Sequence, residues 1–248
     1  MGNKVVMSHE HDIVLVPIWG DLCVRTAPAL RATLNRLVQQ GSRRIIINMA
    51  GVPYVDSAGM AVLFSTIRKM RESGGLLSLI NVSPNVMRSL KIARLVDLVP
   101  VSALGARREV YELDPSVQPL WRTSLPVDAD DLHAARARIE QLADRLPFSH
   151  DAVFDITLAV GEALGNAADH TCGEGILATV SAYPDRMVVE VTDCGDGFSV
   201  SDANELPKSA DEERGRGIKL MQLLVDSVSI QNRSSGTGTV VRLVKLLG

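Results

Sequence analysis

The chain has 248 residues, 46 % apolar and 22 % charged, with a formal net charge of -3. That is ordinary globular composition, enough for one large domain or two small ones with cores of their own. It excludes several classes. No apolar run approaches the ~18 residues of a membrane span, and no charged-then-apolar leader opens the chain. No Lys/Arg run is dense enough for direct nucleic-acid binding. The three scattered cysteines (Cys23, Cys172, Cys194) form no CxxC, which argues against a disulfide framework or zinc site and for a reducing, cytoplasmic setting. The charge is uneven. Residues 1–113 carry 14 Lys+Arg against 8 Asp+Glu, and residues 114–248 carry 12 against 21. Opposite signs on the two halves favour attraction between them or to similarly charged partners.

The first half, 1–113, alternates strand and helix. Ile13–Trp19 reads as a strand, Ala27–Gln40 as a helix stopped by Gly41, and Arg44–Ala50 as a buried strand through its Ile45-Ile46-Ile47 run. Ala58–Glu72 reads as a helix ending before Gly74-Gly75, and Leu76–Asn81 as a strand. Ser83-Pro84 opens the next helix, with proline at its first position. Val99–Ala103 is a short strand and Ala106–Leu113 a last helix. The alternation calls for a mixed sheet covered by helices. Asp114–Leu120, with two prolines and no helical period, reads as a linker spanning at most about 25 Å.

The remainder, 121–248, has another order. A strand, Trp121–Val127, precedes helices Asp130–Leu146 and Ser149–His170. A hairpin follows, Ile176–Tyr183 and Met187–Asp193, turning at Pro184-Asp185. A polar stretch, Ser199–Arg216, leads to a helix Ile218–Val225 and strands Ser227–Asn232 and Thr239–Leu246. Helices on one side of a mostly antiparallel sheet make an α+β sandwich.

The chemistry concentrates in four places in this half. Glu162, Asn166 and His170 recur at four-residue steps on one helix face, opposite a core side of Val153, Ile156, Val160, Ala163 and Ala167. A carboxylate and an amide one turn apart suit a base beside a Mg²⁺ ligand, since Mg²⁺ takes oxygen donors. Asp193-Cys194-Gly195-Asp196-Gly197 ends a strand, and its glycines allow close approach to a ligand. Arg214-Gly215-Arg216-Gly217 stands just before a helix, where guanidiniums and a helix N-terminus favour phosphate. Gly236-Thr237-Gly238-Thr239 lies between two strands. Each alone reads as a solvated helix face, a turn or a hairpin.

The four in order resemble the nucleotide-binding boxes of the GHKL ATPase superfamily, over about Leu120–Leu246. The resemblance implies a Bergerat-type sandwich that binds ATP and Mg²⁺. It places Mg²⁺ on Asn166, the adenine amine on Asp193 and the adenine pocket at Gly195 and Gly197. Arg214, Gly215, Arg216 and Gly217 would close the ATP lid, and Thr239 would lie near the base. The run Glu162–His170 is most similar to the anti-sigma serine kinases, where the glutamate matching Glu162 is the base and a histidine, here His170, closes the first box. A histidine kinase is the rival. His133 lies on an appropriate helix, but no Glu-Leu-Arg-Thr-Pro-like stretch follows it.

In the first half, Asp56-Ser57-Ala58-Gly59 follows a buried strand and reads as a helix entrance. A phosphate on Ser57 would meet a helix N-terminus, adding ~1.5–2 negative charges without unfolding the domain. Residues ~5–113 resemble the STAS domain of anti-sigma factor antagonists, in which the serine matching Ser57 is phosphorylated. Ala58 replaces the second hydroxyl residue common there. Together the two resemblances imply a kinase fused to its kind of substrate, a partner-switching regulator of a sigma factor or similar protein. Ser57 of the chain itself, a second copy, or a separate STAS or kinase protein would be its counterpart, and dimers are common in the kinase family. The alternative is a nucleotide-binding switch without catalysis that sequesters a sigma factor.

Overall fold

The computed structural model describes residues 6–7, 12–105, 108–114, 116–170, 175–195, 212–233 and 237–248; the side chains of 6–7 and 212–216 fall outside that description. The chain divides into two compact units, Met1–Arg107 and Arg108–Gly248.

The first unit holds β1 (Val6–Met7), β2 (Ile13–Trp19), α1 (Ala27–Gln39), β3 (Arg44–Gly51), α2 (Ser57–Glu72), β4 (Leu76–Val82), α3 (Pro84–Ile92) and β5 (Val101–Ala103). The strands lie in the order β1-β2-β3-β4-β5. β1 pairs antiparallel with β2, and β2 to β5 pair in parallel, each joined to the next by a helical crossover. This is the mixed sheet expected, with β1 as an unforeseen addition. Ile45, Ile46 and Ile47 are all buried, as a strand covered on both faces requires. Val62, Leu63, Ile67 and Met70 of α2 join the same core. The parallel order has a functional consequence: the segments that follow β2 and β3 leave the sheet at one end and meet there.

The second unit holds β6 (Trp121–Val127), α4 (Leu132–Ala143), α5 (His150–His170), β7 (Ile176–Ala182), β8 (Arg186–Thr192), α6 (Glu212–Leu224), β9 (Ser227–Asn232) and β10 (Thr239–Leu246). Its sheet runs β6-β7-β8-β10-β9, and every neighbouring pair is antiparallel. Ala178, Val180, Val189, Val191 and Leu243 alternate onto a buried face. α5 packs between α4 and α6 and against β7, β8 and β10. Its five expected core residues are all buried. The central helix is therefore fixed on several sides, which settles where its polar face points.

Two expectations need correction. Arg108–Leu113 is not helical, and residues 106–107 lie outside the described residues. Tertiary bonds compete successfully with local helix propensity here. The Arg108 guanidinium donates to Leu246 O and Leu247 O at 3.2 and 2.6 Å. Tyr111 O accepts from the buried Arg186 Nη1 at 2.7 Å. Further on, Leu120 N donates to Ala182 O at 2.8 Å, so the stretch is strapped to the second sheet at both ends. The second correction concerns α6. It begins at Glu212, so Arg214–Gly217 lies within its first two turns rather than before it. The buried Leu220, Met221 and Leu224 anchor the helix.

Candidate functional sites

Ser57 is the first residue of α2 and is exposed. The residue before it does the structural work. Asp56 caps the helix, with Oδ1 accepting from Gly59 N and Oδ2 from Val24 N, both at 2.9 Å. Those amides, Gly59's first and Val24's after it, hold its carboxyl below the usual carboxylate range. The loop after β2 is thereby tied to the loop after β3. A bridge between Leu22 and Val55 strengthens the tie, with Leu22 N donating to Tyr54 O and Asp56 N to Leu22 O. The approach is close enough to demand glycine: a Cβ on Gly59 would lie 2.6 Å from Leu22 O and 2.7 Å from Leu22 Cγ. Trp19 at the end of β2, and Val24 and Tyr54 on the two loops, stand exposed. The serine thus sits at a helix N-terminus, on a backbone fixed by the Asp56 cap and the Leu22–Val55 bridge.

In the second unit α5 places Glu162 and Asn166 one turn apart, both half-buried. α6 crosses them at Gly217. A Cβ there would lie 3.2 Å from Asn166 Nδ2 and 3.4 Å from Glu162 Oε2. The bare backbone at Gly217 therefore roofs the carboxylate and the amide together. On the other side of α5, Arg136 of α4 lies against Gly161. A Cβ on Gly161 would lie 3.0 Å from Arg136 Nε and 3.2 Å from Cζ.

At the C-terminal end of β8 lies Asp193, 6 % exposed. Its Oδ1 accepts from Gly195 N and Thr239 N, each at 3.0 Å, and its own N donates to Thr239 O at 3.0 Å. Among the described residues no bond engages Oδ2. Two glycines make the packing here feasible. A Cβ on Gly195 would lie 2.2 Å from His170 O, and one on Gly238 2.2 Å from Asp193 O, with φ at Gly238 at +124°. The end of α5, the end of β8 and the start of β10 are thus fastened together.

Of the residues singled out in sequence, the structure brings together Glu162, Asn166 and Gly217 in one group, and His170 (through its backbone), Asp193, Gly195 and Thr239 in another. Gly197 lies outside the described residues. Gly215 is placed only as helix backbone, and so are Arg214 and Arg216, whose side chains are outside the description. Arg136 escaped notice, and Gly238 was read only as part of its box, with no role of its own. Gly238 had a signal in the Gly-Thr-Gly-Thr run. Arg136 had an indirect one, a glycine inside a strongly helical pattern beside Glu162, which often marks a close packing contact. Among the described residues no three His, Cys, Asp or Glu side chains cluster as metal ligands, and no helix is long and apolar enough to cross a membrane.

The family model of the STAS domain matches residues 4–106, and that of the histidine kinase-like ATPase domain matches residues 125–245. The chain belongs to both families, a STAS domain followed by a histidine kinase-like ATPase domain. The anti-sigma-B factor antagonist of Bacillus subtilis (strain 168) is 37 % identical over 101 residues, covering 41 % of this chain and 91 % of the relative. The serine-protein kinase RsbW of Halalkalibacterium halodurans is 31 % identical over 134 residues, covering 50 % of this chain and 81 % of the relative. The solved structure of the anti-sigma factor antagonist SpoIIAA in its unphosphorylated form is 20 % identical, covers 42 % of this chain and 90 % of that one, and has a TM-score of 0.35. The chain thus has the make-up of a regulatory protein, one part similar to antagonists and the other to a kinase.

Proposed function

We propose that this chain is a partner-switching regulator whose second unit transfers the γ-phosphoryl group of ATP to a STAS-domain serine. The acceptor is Ser57 of this chain, Ser57 of a second copy, or the serine of a separate antagonist. The modification in turn controls a sigma factor or a similar regulatory target in the cytoplasm. The observation that carries this reading is the grouping under Gly217 of a carboxylate, Glu162, with an amide, Asn166, on one helix face.

The residues present fit a magnesium–nucleotide ligand. Asn166 offers an oxygen donor beside Glu162, and Mg²⁺ needs few protein ligands because substrate phosphates and water complete its shell. Gly217 leaves space that a side chain would fill. Asp193, held by two amides through Oδ1, has Oδ2 to accept from the adenine amine. When bound, the metal neutralises charge developing on the phosphates. Glu162 takes the serine hydroxyl proton, the hydroxyl oxygen bonds to the γ-phosphorus, and ADP departs. Most of the rate gain comes from positioning these groups. On the acceptor, the α2 N-terminus and its dipole stabilise the product phosphate, while the added charge changes the exposed surface at Ser57.

Incubation with Mg²⁺ and ATP, followed by intact mass and peptide mapping, tests the proposal. One phosphate per chain on Ser57 is expected, absent in Ser57→Ala and reduced at least ~100-fold in Glu162→Ala if a positioned base is worth the usual 10²–10⁴. No phosphate on this chain or on an added antagonist, with ATP still bound, would leave the binding switch as the better reading.

A further inference from the structure

The residue before Glu162 has a neighbour that the family boxes do not include. Arg136, in the middle of α4, crosses to α5 at Gly161, the residue before Glu162. The contact is made by the charged end of the side chain. Nε, Cζ and Cδ are the three atoms that a Cβ at Gly161 would meet, at 3.0, 3.2 and 3.4 Å. The guanidinium therefore lies on helix backbone that has no side chain, beside the attachment point of the carboxylate. Neither Arg136 nor Glu162 lacks a partner. Ile139 on the same face of α4, one turn on, is fully buried, and Ala135 is buried too. Arg136 is thus carried by a part of α4 that cannot easily swing away. A planar guanidinium presents its donors in a fixed fork, so it can hold a carboxylate in one orientation where a flexible ammonium holds it less well.

Resting on the reading of Glu162 as the base, we propose that Arg136 is a positioning residue that holds the Glu162 carboxylate in the orientation needed to take the serine proton. Gly161 is the second half of the device, because its missing Cβ admits the guanidinium. α6 limits the carboxylate as well, since a Cβ on Gly217 would lie 3.4 Å from Oε2. Glu162 is then confined between two glycine-permitted contacts. A misplacement on the scale of 1 Å can cost ~10² in rate.

The test uses the full chain with three substitutions, Arg136→Gln, Arg136→Lys and Gly161→Ala. Phosphate incorporation is measured across ranges of ATP and of chain concentration, alongside ATP affinity and thermal stability. Arg136→Gln is expected to lower the rate at saturating ATP by ~10–100-fold with ATP affinity within about two-fold of wild type. Arg136→Lys recovers part of the loss, because charge returns without the fork. Gly161→Ala is the decisive variant. Alanine favours the helix interior over glycine by up to ~1 kcal/mol. It is therefore expected to leave the melting temperature equal or higher while the rate falls several-fold, which a merely structural role would not produce. The inference is overturned if Arg136→Gln keeps the wild-type rate, if Lys does no better than Gln, or if the defect disappears at high chain concentration, which would make Arg136 a docking residue. Absence of phosphate in the wild type sinks the kinase reading and this inference together. A normal wild type with a silent Arg136→Gln sinks only the inference.

Discussion

The surroundings of Ser57 and those of Glu162 are built in opposite ways. The first is nearly contiguous. Asp56, Ser57 and Gly59 lie within four consecutive residues, and among the described residues the distant contributor is the loop after β2, fastened through Leu22 and Val24. The second brings Glu162 and Asn166 of α5 under Gly217 of α6, while Arg136 of α4 lies against the neighbouring Gly161. Both nevertheless rely on glycine where backbones or side chains must approach more closely than a Cβ permits. The two therefore tolerate different changes. A contiguous site depends on one cap and one turn. A dispersed site depends on several helix and strand ends staying in register, so a small displacement at one junction reaches the whole of it.

The largest effect is expected at Gly238. Alanine there needs φ near +124°, and its Cβ would lie 2.2 Å from Asp193 O. Neither backbone can give way without parting β10 from the end of β8. Gly238→Ala is expected to cost about 3 kcal/mol or more in the second unit, from strain and overpacking together, and to abolish ATP binding in calorimetry. The melting of the first unit should not change. Loss of both transitions would mean that the two units are not energetically separate.

Next in size is Gly59→Ala. The atoms in its way are Leu22 O and Leu22 Cγ, part backbone and part buried core. Overpacking of this kind costs about 1–3 kcal/mol. The effect should be confined to the first unit and seen as a lowered denaturation midpoint, with ATP affinity preserved. Phosphate acceptance at Ser57 should fall too, since the same loop orients the hydroxyl.

Gly217→Ala has a smaller structural effect and a larger functional one. Its new Cβ would meet side-chain atoms, Asn166 Nδ2 and Glu162 Oε2, at 3.2 and 3.4 Å. These can move by a few tenths of an ångström, and alanine suits a helix by up to ~1 kcal/mol. Stability should hold or rise while phosphoryl transfer drops by about tenfold, with mass spectrometry reading one effect and thermal melting the other. If transfer is unaffected, the roof over Glu162 and Asn166 does not matter to the reaction.

How much could be seen in the sequence follows from the same contrast. β6, β9 and β10 were readable to the residue, and β2 also, because alternation and flanking turns are local signals. Ser57 was readable because its cap, its helix and its glycine are consecutive. Glu162 and Asn166 were readable as a pair from their four-residue spacing. Their meeting with Gly217 was not, since it depends on how α6 crosses α5. Arg108–Leu113 was misread for a related reason. Its composition permits a helix, but the carbonyls of Leu246 and Leu247 and the guanidinium of Arg186 claim its polar groups. Nothing local announces bonds to residues more than seventy positions away.

The smallest expected effect is the most specific to the Ser57 site, and it concerns pH. In the folded protein the Asp56 carboxyl is held below its ordinary value, first by Gly59 N–H and then by Val24 N–H. A carboxylate with a depressed folded value adds stability that is fully present above the unfolded value, near 3.9, and is lost as pH falls through the folded one. The stability of the first unit should therefore slope downward below about pH 4. Asp56→Asn keeps an acceptor for one amide but has no charge to titrate, so its stability should be lower at pH 6 and should approach that of wild type in acid. Urea midpoints at a series of pH values check this. Parallel lines for the two proteins would mean that the cap bonds do not depend on charge. In that case the link between the loops after β2 and β3 rests on the Leu22–Val55 bridge rather than on Asp56.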